Sequence, residues 1–364
     1  MLRQEEAVAN LREADHFKRI RAIRYAIDKG VNYINLGFPA YFKDPQKACE
    51  YVNIALADGY HSKVKHAINI SMRDSTSQYD LDNALNSQLK LFKIEHAEFC
   101  VISDVDRTFR NTLKSIDIAS WAIKTIASGR IDQIALGFHD DAHYLKGIVD
   151  EYPQWAFIQI EFSFLDYMHH PGVGCFSFAE ESNIAIIATD ITKAGRLLKN
   201  IPENVQKIYS GSKLNISPEE RCVRWPLSFE EISSAQMSAH SELSTVEQVD
   251  RYFSYADRFE PAGTDIGEKL DAAKIREAYY ASRECLCTIC RLCMPCPAGI
   301  DAPRIIELIN DEKMFTNVEI PKFQYNRDNL QSAGCSQCGN CVRLCKKHFP
   351  IDLIVNEANE RYTS

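Results

Sequence analysis

From residue 16 to about residue 235, short apolar runs alternate with longer stretches whose apolar groups recur every three or four positions. Residues 16–29 place Phe17, Ile20, Ile23, Ala26 and Ile27 on one face, the period of a helix, and Gly30 supplies its stop. The runs Val31–Asn35, Val64–Ile70, Phe99–Ile102, Ile134–Gly137, Phe157–Ile160 and Ile184–Ala188 are short, apolar and each followed by a helical pattern. Strands spaced by 20–35 residues with helices between them read as βα units and a parallel sheet. A seventh unit starts with Ser217-Pro218-Glu219-Glu220, Ser as cap and Pro at the first helical position, with its strand near Glu231–Ala235. No G-x-G-x-x-G or G-x-x-x-x-G-K-[ST] turn is present, so a TIM-type (β/α) barrel is favoured over a doubly wound nucleotide-binding sheet. No eighth strand is evident, and none fits before residue 16.

The charged stretch Thr264–Glu284 reads as a linking helix, after which the composition turns abruptly to cysteine. The expected organisation is a barrel over 1–263, a linker over 264–284 and a small, mainly helical domain over 285–364. With 364 residues, two domains is also the expectation from length. Forty-two basic against 50 acidic residues give a formal charge of −8, which argues against nucleic-acid binding. The opening residues lack the apolar core of a secretory signal, and no apolar run approaches the roughly 20 residues of a membrane span. The expectation is a cytoplasmic protein without membrane insertion.

Nine of the thirteen cysteines lie between Cys285 and Cys345. In a reducing compartment such a cluster points to metal rather than disulfides. The arrays are Cys287-x2-Cys290-x2-Cys293-x2-Cys296-Pro297 and Cys335-x2-Cys338-x2-Cys341-x3-Cys345. Three cysteines two residues apart let one tight loop offer three thiolates to three corners of a cubane, and in two-cluster ferredoxins the fourth comes from the other array. On that pattern Cys287, Cys290, Cys293 and Cys345 hold one [4Fe–4S] cluster, and Cys335, Cys338, Cys341 and Cys296 the other. Structural zinc is the rival, but its sites use two separated pairs of ligands. The first array has two residues where the bacterial spacing has three, which leaves the source of the fourth ligand open. Cys285 is a spare thiol. Arg343, Lys346 and Lys347 flank the second array.

At this point the sequence resembles the aldo/keto reductase-like oxidoreductases that carry a C-terminal ferredoxin domain. The resemblance rests on Tyr25-Ala-Ile-Asp-Lys-Gly-Val-Asn-Tyr-Ile34, Gly137-Phe-His-Asp140, Gln159-Ile-Glu-Phe162, Cys293-Met-Pro-Cys-Pro297 and Gly299-Ile-Asp-Ala-Pro-Arg304. It implies an eight-stranded barrel, here without its first strand, whose open edge would be covered by the residues before 16 or by a partner chain, an oligomer included. It also implies a tetrad of Asp, Tyr, Lys and His around a nicotinamide, with the Tyr as general acid tuned by its neighbours.

The corresponding positions are Asn35, Tyr41 (one residue late), Asn69 and Ser103. Three of the four chemical groups are thus neutral substitutes, which argues against ordinary carbonyl reduction. Gln159 matches the residue that contacts the nicotinamide amide. Gln236-Met237-Ser238 stands where a glycine would approach the cofactor phosphate, so NADPH is doubtful. Asp104, His139, Asp140 and Asp141 follow strands at the mouth and suit a metal, proton transfer or, more commonly, helix capping. His169-His170 reads as surface, and Asp190 and Lys193 could pair with each other.

The leading expectation is an iron–sulfur electron-transfer protein, a subunit beside a redox partner or larger complex, with a catalytically degenerate barrel. The alternatives are a reductase whose barrel binds a substrate or NADPH and exchanges electrons through the clusters, and clusters that serve only to hold the C-terminal domain folded.

Overall fold

In a computed structural model, residues 13–39, 44–152, 154–238, 243–259, 266–330 and 334–363 are described. The element order is α1 (Glu13–Asp28), β1 (Tyr33–Asn35), α2 (Pro45–Leu56), β2 (Lys65–Ser71), α3 (Gln78–Leu91), β3 (Ala97–Val105), α4 (Arg110–Ile116), α5 (Ile118–Ala127), β4 (Ile131–Phe138) and α6 (Leu145–Val149). It continues with β5 (Phe157–Glu161), α7 (Phe176–Glu181), β6 (Ala185–Thr189), α8 (Glu203–Gly211), α9 (Pro218–Leu227), β7 (Ile232–Ala235) and α10 (Val246–Asp257). Five helices complete the chain: α11 (Ile266–Ala281), α12 (Ala302–Phe315), α13 (Glu319–Arg327), α14 (Asn340–Leu344) and α15 (Ile351–Thr363).

The seven strands form one parallel sheet in sequential order, β1 to β7, the topology of a TIM-like barrel. Each strand falls where an apolar run predicted it. β3 and β4 run further than their apolar cores, through Glu98 and through Asp132 and Gln133, because backbone pairing continues past the buried positions. Among the described residues β1 and β7 each have a single partner strand, so the sheet is open between them.

The strand period of two sorts the side chains onto two faces. Ile68, Ile70, Cys100, Ile102, Ile134, Leu136, Ile158, Ile160 and Ile186 are fully buried. Their alternates Ala67, Val101, Ala135, Phe157 and Ile187 form a separate cluster, with Tyr33 and Phe99 packed on it. Phe157 meets Phe99 and Tyr33 edge-on, with centroids 5.3 and 6.0 Å apart. This plug leaves the next inward layer for polar groups.

Capping chemistry sets the helix starts. Ser217 Oγ accepts the Glu220 amide at 3.1 Å ahead of α9, with Pro218 at its first turn. Thr245 and Gln248 form a reciprocal capping box on α10.

The contacts divide the chain into two compact units, one containing residues 196–215 together with 265–364 and the other the sheet. In the former, Ile300, Ile305, Ile306, Leu308, Ile309, Tyr325, Ile351, Val355 and Tyr362 make a core from α12, α13 and α15. The loops carrying the cysteines pack against it, with Cys293 inside and Cys287, Cys296, Cys335, Cys341 and Cys345 at its margin.

Candidate functional sites at the barrel mouth and in the cysteine arrays

Asn35, Asn69, Ser103 and Gln159 sit on β1, β2, β3 and β5, and the fold brings all four together. Asn35 Nδ2 donates to Asn69 Oδ1 at 3.2 Å and to Gln159 Oε1 at 3.3 Å. Asn69 Nδ2 donates back to Asn35 Oδ1 and to the Gly37 carbonyl. Ser103 Oγ donates to Asn69 Oδ1 at 3.3 Å. Gly37 N–H donates to Asn35 Oδ1 at 2.9 Å, and Gln88 Nε2 holds the Asn69 carbonyl from behind. Gly137 on β4 admits this packing, since a Cβ there would lie 3.0 Å from Ser103 Cα.

The network is neutral, and Asn35, Asn69, Ser103 and Gln159 bond to one another. It offers no acid to protonate a carbonyl and no charge to lower a phenol. Tyr33, one inward position below Asn35 on β1, has its phenol pushed up by burial, the opposite of what a general acid requires. Tyr41 lies outside the described residues.

Charge is concentrated elsewhere at the mouth. Lys193, which follows β6, is buried with its Nζ 2.9 Å from Asp166 Oδ1, 3.0 Å from Glu161 Oε2 and 3.9 Å from Asp190 Oδ2. Burial alone would lower its pKa, but Asp166, Glu161 and Asp190 together hold it well above the usual lysine value. It is therefore a fixed cation, unsuited to nucleophilic or Schiff-base work. Asp166 is itself fixed, accepting the Ser163 amide at 2.8 Å and hydroxyl at 2.7 Å. His139 Nδ1 lies 3.9 Å from Glu161 Oε1 and its ring lies 5.8 Å from that of His170. The pairing of Asp190 with Lys193 expected from sequence is present but is the longest of the three. Glu161 and Asp166 were missed; the available signal was a glutamate at an inward position of a buried strand, two residues after Gln159.

Asp141 caps the short turn after β4 through the His143 amide at 3.0 Å. Asp140 does something else. It accepts the Arg107 amide at 2.8 Å and forms a bidentate pair with the Arg107 guanidinium. Burial pushes Asp140 up, but Arg107 outweighs it and holds the carboxyl below the usual range. Asp104 accepts the Ser71 hydroxyl at 2.6 Å. A carboxylate with a lowered folded pKa stabilises above its unfolded value near 3.9, and that contribution is lost as pH falls through the folded value. Asp140→Asn is expected to cost about 3–5 kcal/mol at pH 7, with the deficit shrinking as pH falls below the unfolded value of about 3.9 and through the lowered folded one; urea unfolding at stepped pH checks both.

In the cysteine unit every thiol is free of disulfide bonding. Asn310 of α12 clamps the chain ahead of the first array, accepting the Cys285 amide at 2.9 Å and donating to the Cys285 carbonyl at 2.7 Å. Ile289 and Arg291 adopt left-handed backbone either side of Cys290, as does Gln337 before Cys338. These kinks curl each loop, and in the first they turn the Ile289 N–H onto Cys287 Sγ at 3.4 Å. Arg291 pairs with Asp301 at 2.9 Å. Lys347 Nζ donates to the Leu286 carbonyl at 2.9 Å, joining the end of the second array to the start of the first.

The thiols crowd. Burial raises Cys287, and the neighbouring Cys290 and Cys345 add to it. Burial pushes Cys293 up to about 11, with Cys287, Cys290 and Cys341 contributing. Such a set needs a cationic centre to become thiolate. Eight soft donors, six of them in or against an apolar core, fit iron–sulfur chemistry.

Sequential parallel strands with intervening helices, and polar groups gathered at the strand C-termini, define a TIM-type α/β protein. The aldo/keto reductase family profile matches residues 9–256, and the chain belongs to that family of oxidoreductases. Solved structures sharing the fold include an aldo-keto reductase from Klebsiella pneumoniae in complex with NADPH, 16% identical with a TM-score of 0.53, covering 73% of this chain and 86% of that one. Another is the holo form of an aldo-keto reductase from Bacillus halodurans, 12% identical with a TM-score of 0.53, covering 71% and 87%. A thermostable aldo-keto reductase in complex with the inhibitor epalrestat is 12% identical with a TM-score of 0.54, covering 72% and 89%. No curated protein matches the chain. Among the described residues no helix is long and apolar enough to cross a membrane.

Proposed function

We propose that this protein transfers electrons, in a reducing, cytoplasmic setting, through two [4Fe–4S] clusters bound by its C-terminal cysteines. The observation that carries this reading is the set of eight thiols in two loops of ferredoxin spacing, six of them in or against one small core and Cys290 and Cys338 exposed beside it. Cys287, Cys290, Cys293 and Cys345 would hold one cluster, and Cys335, Cys338, Cys341 and Cys296 the other. The proximity of Cys287 to Cys345 supports the exchange of fourth ligands between arrays. Each cluster supplies one-electron redox chemistry when bound. The Ile289 N–H, aimed at Cys287 Sγ, neutralises part of the thiolate charge and so favours the reduced state. The barrel then serves as scaffold, and a second redox protein or a larger complex is the source and sink of electrons.

The neutral network at the mouth supports the same reading from the other side. Where the family's chemistry needs an acid beside a nicotinamide, this chain holds Asn35, Asn69 and Ser103 bonded to one another and Gln159. A reductase that binds NADPH is the second reading, favoured by Gln159 and by the NADPH complex of a structural neighbour.

Anaerobically purified protein is expected to contain about eight iron and eight sulfide per chain, and to give a reduced-cluster electron paramagnetic resonance signal. Stoichiometric zinc, or clusters that stay oxidised down to about −700 mV, would sink the electron-transfer reading. NADPH binding at about micromolar Kd would restore the reductase.

A further inference from the structure

Two histidines at the foot of the sheet take no part in the mouth or in the cysteine arrays. His61 opens the single helical turn His61–Lys63, and His66 is the second residue of β2. Glu98 is the second residue of β3. All three lie at the N-terminal ends of their strands, the end opposite the mouth where barrel sites are built.

The three side chains form a relay. Glu98 Oε2 accepts the His66 amide at 2.7 Å and lies 3.3 Å from His66 Nδ1. That carboxylate keeps the His66 ring proton on Nδ1 and leaves a lone pair on Nε2. His66 Nε2 in turn lies 3.1 Å from His61 Nδ1. Burial and the neighbouring His66 hold His61 below the usual histidine value, and burial outweighs Glu98 in doing the same to His66. Lys63, two residues from His61, is taken up by Asp28 at 2.8 Å.

Two neutral imidazoles with a carboxylate behind one of them are the donor set of a borderline divalent cation. Two Zn–N bonds of about 2.0–2.1 Å meeting at the tetrahedral angle span about 3.3–3.4 Å, close to the separation of the two nitrogens. His66 is 5% exposed, and the half-buried His61 stands over its Nε2. A small rotation of the His61 ring admits a cation from solvent, with the ring proton moving from Nδ1 to Nε2.

We propose that His61 Nδ1 and His66 Nε2 bind one zinc-like divalent cation, with Glu98 as the positioning residue behind His66 and water in the remaining coordination positions. The inference is independent of the electron-transfer reading, because residues 61, 66 and 98 belong to the sheet-bearing unit.

Zn2+ titrated calorimetrically into the full-length, anaerobically purified protein is expected to fill a saturable site, one per chain, that is missing from His61→Ala. Zinc taken up by thiols appears equally in both proteins, so their difference reads the histidine site alone. The melting midpoint without metal checks that His61→Ala is folded. His61→Phe, which keeps a ring, gives the same comparison should the alanine variant melt early. Glu98→Gln should bind about 10-fold more weakly. His96 pairs instead with Asp132 at 3.0 Å, and His96→Ala should bind as wild type does. About a hundredfold excess of Mg2+, which prefers oxygen ligands, should not compete.

Identical titrations of wild type and the His61 variants would overturn the proposal and leave the pair as a hydrogen bond. Equal loss in His96→Ala would show the ligand set to be wrong. Unchanged affinity in Glu98→Gln would remove the positioning role, and competition by Mg2+ would mean an oxygen-lined site elsewhere.

Discussion

Cys290→Ala is expected to lower the iron content from about eight to about four per chain, and Cys338→Ala to do the same from the other array. Both side chains are exposed, so neither substitution opens a hole in the core, and the missing iron reports ligation. The crossed arrangement makes a sharper statement. Cys345→Ala should leave the same residual paramagnetic spectrum as Cys290→Ala, and Cys296→Ala the same as Cys338→Ala. If Cys345→Ala instead matches Cys338→Ala, each array keeps its own fourth ligand and the exchange is wrong. Cys285→Ala should retain all its iron, because that buried thiol packs in the core. Loss of iron there would mean that the ligand set has been misread.

The second large effect is expected at Lys193. Lys193→Met leaves Asp166, Glu161 and Asp190 facing one another around a neutral side chain. Breaking a buried ion pair from one side typically costs about 3–5 kcal/mol, which in a unit of this size lowers the melting midpoint by about 10 °C. A lysine whose folded pKa is raised contributes fully below its unfolded value near 10.4, and the contribution is lost only as pH rises through the folded value. The gap between wild type and Lys193→Met should therefore be constant from about pH 6 to 9. A loss under about 1 kcal/mol, or a gap that closes within that window, would show that the cluster is solvated and does not act as one buried unit. Thermal unfolding at three pH values distinguishes these outcomes.

These two sites differ in how far they could be read in advance. The cysteine arrays are local in sequence, and ligand spacing is a property of a single loop, so their members are evident from the chain itself. The strands are equally direct, because a buried parallel strand is a short apolar run whatever surrounds it. The neutral positions at the mouth were legible for a different reason. Asn35, Asn69 and Ser103 were picked out by the resemblance to the aldo/keto reductases, and the fold brings them together because strand C-termini converge in a barrel.

The Lys193 cluster was not legible in this way. It joins residues 161, 166 and 193, and it depends on left-handed backbone at Asp190, Lys193 and Ala194 to turn the lysine inward. Nothing in the local sequence announces three departures of this kind within five non-glycine residues. The same holds for Arg107 and Asp140, which meet across two βα loops. Tyr41 falls outside the described residues.

The amide network at the mouth has a consequence for how this barrel senses its surroundings. Asparagine, serine and glutamine do not titrate in water, and a cluster made only of them casts no long-range field. The contacts that Asn35, Asn69 and Gln159 themselves offer carry no proton linkage. A tetrad built from an acid, a base and a phenol would couple the same cleft to every proton it gained or lost. Here the network itself carries no such coupling.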